Sequence, residues 1–139
     1  MLDTPFNERE GNCCMKKTKL KEYIIFFFIS SIIISILTII DYFIHSLSPD
    51  YAVPSYYFRN KVIFGAIIGF IVLIFAQKLS ISKKSAVFSA VVSLLLQVRY
   101  FLEGYPKKFV LEFLFIHFLI LLPVSWIIFK LISIKEQLN

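Results

Sequence analysis

The sequence predicts an all-α protein, a polytopic four-helix transmembrane bundle, and two observations lead to that prediction. Hydrophobic residues make up 58% of the 139 residues, and the mean hydropathy is +0.79, so the apolar share exceeds that of an ordinary soluble domain. Four long apolar segments hold most of the chain, and a helix needs roughly 20 residues to cross a bilayer core about 30 Å thick. Four such crossings leave no room for a separate soluble domain.

The chain divides into a polar and basic tail at residues 1–22, a transmembrane domain at residues 23–135 and a short C-terminal tail at residues 136–139. Within that domain we expect helices over about residues 23–47, 61–79, 83–104 and 109–134. Pro49 and Pro54 exclude a continuous helix in the first connection. The aromatic residues of this connection indicate an interfacial connector or a lid over an outward-facing cavity.

Lysine and arginine are concentrated on one side of the predicted bundle. Ten of them lie in the N-terminal tail, the second connection or the C-terminal end, against five on the opposite side. The positive-inside rule therefore places both termini in the cytoplasm. Six of the seven tyrosines fall at the predicted outer interface, as an aromatic belt would. The Ile-, Phe- and Lys-rich composition is typical of AT-rich microbial genomes, so we expect a multi-pass protein of a microbial plasma membrane.

The net charge of +6 is located at helix ends and does not indicate binding to nucleic acid. A cluster of lysines before the first helix is expected to contact anionic lipid headgroups, and it consists of Lys16, Lys17, Lys19 and Lys21. Cys13 and Cys14 precede that helix on the cytoplasmic side, where a structural disulfide is not expected. Lipidation of this pair is the alternative in a eukaryote.

Two helices carry small residues at spacings that favour close packing in lipid. Gly65 and Gly69 form a small-xxx-small pattern on the second helix, which indicates packing within the bundle or contact in a homo-oligomer. A stripe on the third helix is predicted to face the bundle and to end in an amide that needs a partner. It comprises Ser82, Ala86, Ser89, Ala90, Ser93 and Gln97.

Ionisable side chains inside membrane segments are costly, at about 2.5–3.5 kcal/mol near the helix centre, so they are candidates for function. Under the predicted topology they collect in the outer half of the bundle, where the candidates are Asp41, His45, Arg99, Glu103, Glu112 and His117. Asp41 and Glu103 lie nearest the helix ends, and the sequence favours an interfacial position for both. Glu112 and His117 are five residues apart, about 140° around a helix, so at most one of them faces the bundle axis.

Three interpretations of this polar layer stay open at the level of sequence. In the first, the residues reach headgroups or support packing, and Arg99 pairs with Glu103 or Glu112. In the second, they line a polar cavity open to the outer side that binds a small ligand, a headgroup, or a proton or cation in transit. In the third, His45 and His117 join carboxylates in a divalent metal site. The chain has no HExxH or Cys/His pattern, so no metal or cofactor is assigned.

These interpretations lead to three functional hypotheses. The favoured one is a transport or ligand-binding membrane protein with a polar pocket open to the outer side. The alternatives are a membrane-embedded enzyme acting on a lipid or small apolar substrate, and a non-catalytic assembly or scaffold subunit. No nucleophile elbow or phosphate-binding loop occurs in the sequence, so an enzyme is less favoured and no catalytic residue can be assigned.

Overall fold

The computed structural model describes the backbone of residues 8–138 and the side chains of residues 19–135. This part of the chain forms four α-helices, α1 (Glu8–His45), α2 (Tyr56–Phe75), α3 (Ile81–Leu102) and α4 (Lys107–Leu138). Each contains a segment long and apolar enough to cross a membrane. The predicted fold class is therefore confirmed. The side chains of Cys13, Cys14, Lys16 and Lys17, to which the sequence assigns modification or headgroup contact, lie outside the described residues.

The helix bounds differ most from those expected at the beginnings of α1 and α2, and α4 continues to Leu138 through most of the segment assigned to the C-terminal tail. Helix α1 begins at Glu8, so part of the segment assigned to a polar tail continues the first helix. Helix α2 begins at Tyr56 rather than near residue 61. The connection before it contains one short 3-10 turn, Pro49–Tyr51. The carbonyl of Pro54 accepts a hydrogen bond from the Tyr57 amide at 2.9 Å, which starts the helix directly after the proline. Lys61 consequently lies in the second turn of α2 instead of at the edge of a loop.

A Schellman motif ends α3 and turns the chain into α4. Gly104 has a φ of 90°, a conformation that glycine adopts without steric cost. The Gly104 amide donates to the Phe101 carbonyl at 3.1 Å, and the Tyr105 amide donates to the Tyr100 carbonyl at 3.2 Å. Pro106 then precedes the first residue of α4, which fixes the antiparallel arrangement of the two helices.

The four helices form an antiparallel ring in chain order. Helices α1 and α2 pack together extensively, as do α3 and α4, while contacts of α2 with α3 and of α1 with α4 close the ring. The end that carries the 3-10 turn and the α3–α4 connection is called the outer end below, following the predicted topology, and the opposite end is called the inner end. Apolar residues fill the ring, and those that are fully buried are Ile33, Ile34, Leu37, Phe88, Val92, Leu96, Phe113 and Leu121.

Gly65 and Gly69 lie inside the ring, where they contact α1 and α3 of the same chain. A Cβ atom on Gly65 would lie 2.8 Å from Cγ2 of Ile34, and one on Gly69 would lie 2.9 Å from Cε2 of Phe88. Both separations are shorter than real Cβ contacts, so the glycines permit the close approach of these helices. A homo-oligomer through this helix stays a prediction.

The stripe predicted on α3 is correct for only half of its members. Ser89, Ser93 and Gln97 are buried, whereas Ser82, Ala86 and Ala90 are exposed. The buried polar face follows a strict spacing of four residues and begins at Ser85, which is 1% exposed. The prediction combined two adjacent faces because spacings of three and four residues are both compatible with one side of a helix.

Candidate functional site

Asp41 contacts three other ionisable side chains, and it lies in the outer half of the bundle. Its carboxylate is completely buried. Oδ1 accepts a hydrogen bond from Nε2 of His117 at 2.9 Å, and Oδ2 forms an ion pair with the Lys61 ammonium. Nε2 of His45 lies 3.3 Å from Oδ2. Asp41 is therefore enclosed among the helices instead of reaching lipid headgroups, because a second helix supplies a counter-charge that the sequence analysis had assigned to the loop side.

Lys61 is the residue that the sequence analysis missed. It is completely buried, although the sequence analysis counted it among the outer-side cations at the start of the second helix. Besides its ion pair with Asp41, its ammonium lies 3.0 Å from Nε2 of His117 and 4.4 Å from the centre of the Tyr57 ring. The cost of burying the charge is offset by the carboxylate and by the negative face of the aromatic ring. The sequence signal that could have indicated this position is Pro54, because α2 starts directly after it.

His117 joins these two residues to α3. It is completely buried, and its Nδ1 lies 2.8 Å from Nε2 of Gln97. Because the Gln97 amide group donates there, Nδ1 is the acceptor, and the neutral imidazole carries its proton on Nε2 and donates it to Asp41. The Gln97 amide nitrogen thereby receives a partner, whereas its Oε1 is buried without one among the described residues. Glu112 is only half-buried, so His117 is the one of the two that faces the bundle axis.

His45 has an unusual arrangement of its two ring nitrogens. Nδ1 lies 2.5 Å from the carbonyl oxygen of Tyr51, so it must carry a proton and donate it. Nε2 is buried near Asp41 but has no partner of hydrogen-bond geometry among the described residues. In the neutral ring this nitrogen therefore turns a lone pair towards a carboxylate. A second proton on His45 would supply an N–H to Asp41 and remove this conflict.

We call Asp41, His45, Lys61, Gln97 and His117 the buried charge centre. None of these side chains is more than 6% exposed, so the centre is closed rather than open to the outer side. Tyr57 and Tyr100 stack on each other with ring centres 4.5 Å apart and cover the centre on the side of α2 and α3. Their hydroxyl groups are buried and have no hydrogen-bond partner within the described part of the chain. Buried hydroxyls in this state are normally satisfied by ordered water.

The other predicted site residues lie outside this centre. Arg99 forms an ion pair with Glu103 at 2.6 Å, and its guanidinium stacks over Phe64 at 3.9 Å. Glu112 lies 3.8 Å from the ammonium of Lys108, which is itself highly exposed. Three of the six predicted residues, Asp41, His45 and His117, are thus brought together, and three are not.

The residues of the centre are poorly suited to a divalent metal. No group of three or more metal-ligating side chains with suitable geometry occurs in the described residues. The Lys61 ammonium also contacts both Asp41 and His117, so a positive charge already lies where those two ligands would hold an ion. Repulsion from this ammonium argues against the metal hypothesis for His45 and His117.

A line of buried serines continues from the charge centre towards the inner end of the bundle. We call Ser85, Ser89, Ser93 and Ser125 the serine seam. Ser85 and Ser125 share a hydrogen bond at 2.6 Å, and Ser125 lies 3.4 Å from the Ser89 hydroxyl. Ser93 donates to the Ser89 carbonyl at 2.6 Å, and Gln97 lies one turn beyond Ser93. Polar groups therefore follow the α3–α4 interface over most of the bundle length.

No family model, curated protein or solved structure matches this chain. The described helices are those of a multi-pass membrane protein.

Proposed function

We propose that this protein is a small membrane transport protein in which the buried charge centre binds and releases a proton. The observation that carries the proposal is the pair formed by His45 Nε2 and Asp41 Oδ2, which are buried 3.3 Å apart with room for one proton between them. Protonation would convert a repulsive contact into a charge-assisted hydrogen bond.

The surroundings of this pair support reversible proton binding. Lys61 and His117 both contact Asp41, so the carboxylate has other donors when His45 is neutral. Histidine is the side chain whose ordinary titration range includes neutral pH. Chains of carboxylates and histidines inside membrane proteins are typical of proton relays.

Polar groups on both sides of the centre supply the rest of a route. On the outer side, His45 reaches the Tyr51 carbonyl in the first connection. On the inner side, Gln97 leads to the serine seam. Water in this seam could carry a proton between the hydroxyl groups, which need only rotate to change from donor to acceptor.

The alternative functions have weaker support. An enzyme that used His45 or His117 as acid or base would have to admit its substrate to side chains that are at most 6% exposed. A scaffold function was suggested by Gly65 and Gly69, and both glycines are occupied by contacts within one chain.

Histidine protonation in the purified protein tests the proposed site. We would record nitrogen NMR spectra of histidine-labelled protein in nanodiscs between about pH 5 and 8, the range in which histidine normally titrates. We expect one imidazole to change between a singly and a doubly protonated ring, and we expect this signal to disappear in His45→Gln. If His45 keeps one protonation state throughout, the proposed proton site is wrong.

Proton movement tests transport. Liposomes that contain the protein and a pH-sensitive dye would be energised with a potassium gradient and valinomycin. We expect faster acidification than in protein-free liposomes, and loss of this difference in Asp41→Asn. Glu103→Gln is the matched control because it removes a carboxylate at the outer end without touching the centre. Equal rates in Asp41→Asn and the unaltered protein would contradict the proposal.

A further inference from the structure

A cavity at the outer end lies directly above the charge centre. It has a volume of about 480 Å³ and opens between the 3-10 turn and the beginning of α4. Tyr51, Tyr105 and Phe109 supply its aromatic lining, and Asp50, Lys108 and Glu112 supply its charged groups. We call this cavity the outer pocket. It corresponds to the outward-facing cavity that the sequence analysis offered as one interpretation of the first connection.

A column of stacked rings connects the outer pocket to the charge centre, and its first two rings belong to the pocket lining. Tyr105 stacks on Phe109 at 5.3 Å, Phe109 stacks on Phe113 at 4.4 Å, and Phe113 stacks on His45 at 4.4 Å. Partial burial raises the pKa of the Tyr105 hydroxyl, with a smaller contribution from Tyr56, so this ring stays uncharged at neutral pH. Stacking covers both faces of Phe109, so Tyr51 and Tyr105 are the lining rings left to offer a face to a cation.

The charged groups of the pocket favour the same sign of ligand. Two of them are carboxylates, Asp50 and Glu112, and only one is a cation. The ammonium of Lys108 lies 3.8 Å from Glu112, and its side chain is 88% exposed. A flexible exposed lysine at this distance neutralises Glu112 weakly, and a ligand cation can replace it there.

We infer that the outer pocket binds the ammonium group of a small organic cation. This inference rests on the proposed function, for which it names a substrate class whose binding is coupled to that of the proton. Tyr51 links the two sites, because its ring lies in the pocket lining while its carbonyl holds Nδ1 of His45. A cation that displaces the 3-10 turn would therefore alter the His45 contact with Asp41.

Choline and its uncharged carbon analogue, in which a tert-butyl group replaces trimethylammonium, are the probes for this inference. We would measure binding by isothermal titration calorimetry to the full chain in nanodiscs of phosphatidylglycerol. We expect choline to bind and the analogue to bind at least tenfold more weakly, a difference of about 1.4 kcal/mol. Equal affinity for the two probes would overturn the inference.

Substitutions of Glu112 and Lys108 should change the affinity for choline in opposite directions. Glu112→Gln should weaken choline binding at least tenfold, whereas Lys108→Gln should strengthen it because Glu112 loses its competing cation. Glu103→Gln is the matched control, since it removes the same charge at the outer end from a residue outside the pocket. Equal losses in Glu112→Gln and Glu103→Gln would show general surface attraction and would contradict the site.

Two further comparisons are needed. One distinguishes a lipid headgroup from a free amine as the source of the ligand, and the other distinguishes failure of this inference from failure of the proposed proton site. If lipid headgroups are the natural source, nanodiscs of phosphatidylcholine should abolish binding of added choline, and if the source is a free amine, the choline affinity should be unchanged. Absence of choline binding in phosphatidylglycerol overturns the assignment of substrate class even where the histidine signal persists. Loss of that signal with choline binding intact would instead overturn the proton site.

Discussion

Asp41 and Lys61 form a buried ion pair in which each charge depends on the other. Each side chain is completely enclosed, so neither charge could be tolerated alone. Removal of one member of a buried pair leaves an uncompensated charge, while replacement of both by apolar residues is often neutral or stabilising. The ion pair is therefore weak evidence for a stabilising role of the centre.

Asp41→Asn is expected to lower the free energy of unfolding by about 3–5 kcal/mol, because Lys61 keeps a buried charge without its carboxylate. The double variant Asp41→Asn/Lys61→Met should recover most of that loss. Unfolding in mixed micelles, followed by circular dichroism, would measure both changes.

Glu103→Gln provides the comparison for that series. Its partner Arg99 is partly exposed, so this variant should cost only about 0–1 kcal/mol. A double variant no more stable than Asp41→Asn alone would contradict the account of the ion pair.

At the level of elements, α2 and α3 each use one face for close contact and leave the other to lipid. Helix α2 places its glycines against α1 and α3, while Ile63, Ile67 and Ile71 point outwards and are about half exposed. Helix α3 uses its buried face for the serine seam. Ser85 and Ser89 reach Ser125 across the α3–α4 interface, while Ser93 bonds to carbonyls of its own helix. Hydrogen bonds between helices in lipid are worth about 0.6 kcal/mol on average.

Gly69→Ala should destabilise the protein by about 1–3 kcal/mol, because a methyl group there overlaps Phe88 and the Ser30 hydroxyl. Thermal unfolding in detergent would measure the change, with Ile67→Ala on the lipid-facing side of α2 as the control. The oligomeric state, measured by size-exclusion chromatography with light scattering, should be the same in Gly69→Ala and the unaltered protein. A change of oligomeric state with unchanged thermal stability would instead favour the homo-oligomer hypothesis.

Ser125→Val should slow proton movement by about tenfold, equivalent to about 1.4 kcal/mol, if the seam carries protons to the inner end. Valine has nearly the volume of threonine but lacks the hydroxyl that contacts Ser85 and Ser89. Ser125→Thr keeps a hydroxyl and should retain most of the flux in the liposome assay. Equal flux in the two variants would exclude the seam as the route while leaving the histidine site untested by that result alone.

At the level of the whole molecule, polarity is distributed unequally along the bundle axis. The described ion pairs all lie in the outer half, whereas the inner half is held together by apolar packing and the serine seam. Lys78 and Lys83 lie in the connection of the inner end or beside it. This asymmetry agrees with the orientation predicted from the charge bias, which stays a prediction.

Cysteine labelling of whole cells would test this orientation. In a Cys13→Ser/Cys14→Ser background, Ser55→Cys should react with an impermeant maleimide added outside. Lys78→Cys should react only after permeabilisation, because the positive-inside rule places its connection in the cytoplasm. Both replaced residues are exposed in connections between helices. The reverse pattern of labelling would invert the topology and place the outer pocket in the cytoplasm.

The sequence by itself determined the class of protein and the number and order of its helices, and it singled out Asp41, His45, Gln97 and His117 of the charge centre. Helix number follows from apolar length, because each crossing must satisfy its own backbone hydrogen bonds inside the hydrocarbon. Asp41, His45 and His117 could be found because ionisable residues are rare in such segments.

Only the tertiary structure decided which polar residues meet. Asp41 lies 20 residues from Lys61 and 76 from His117, and the sequence contains little information about how the helices are rotated relative to one another. In a soluble helix, apolar periodicity marks the buried face, but lipid-facing and core-facing residues here are equally apolar. Arg99, Glu103 and Glu112 therefore could not be separated from the centre, and Lys61 could not be placed in it, until the helices were packed together.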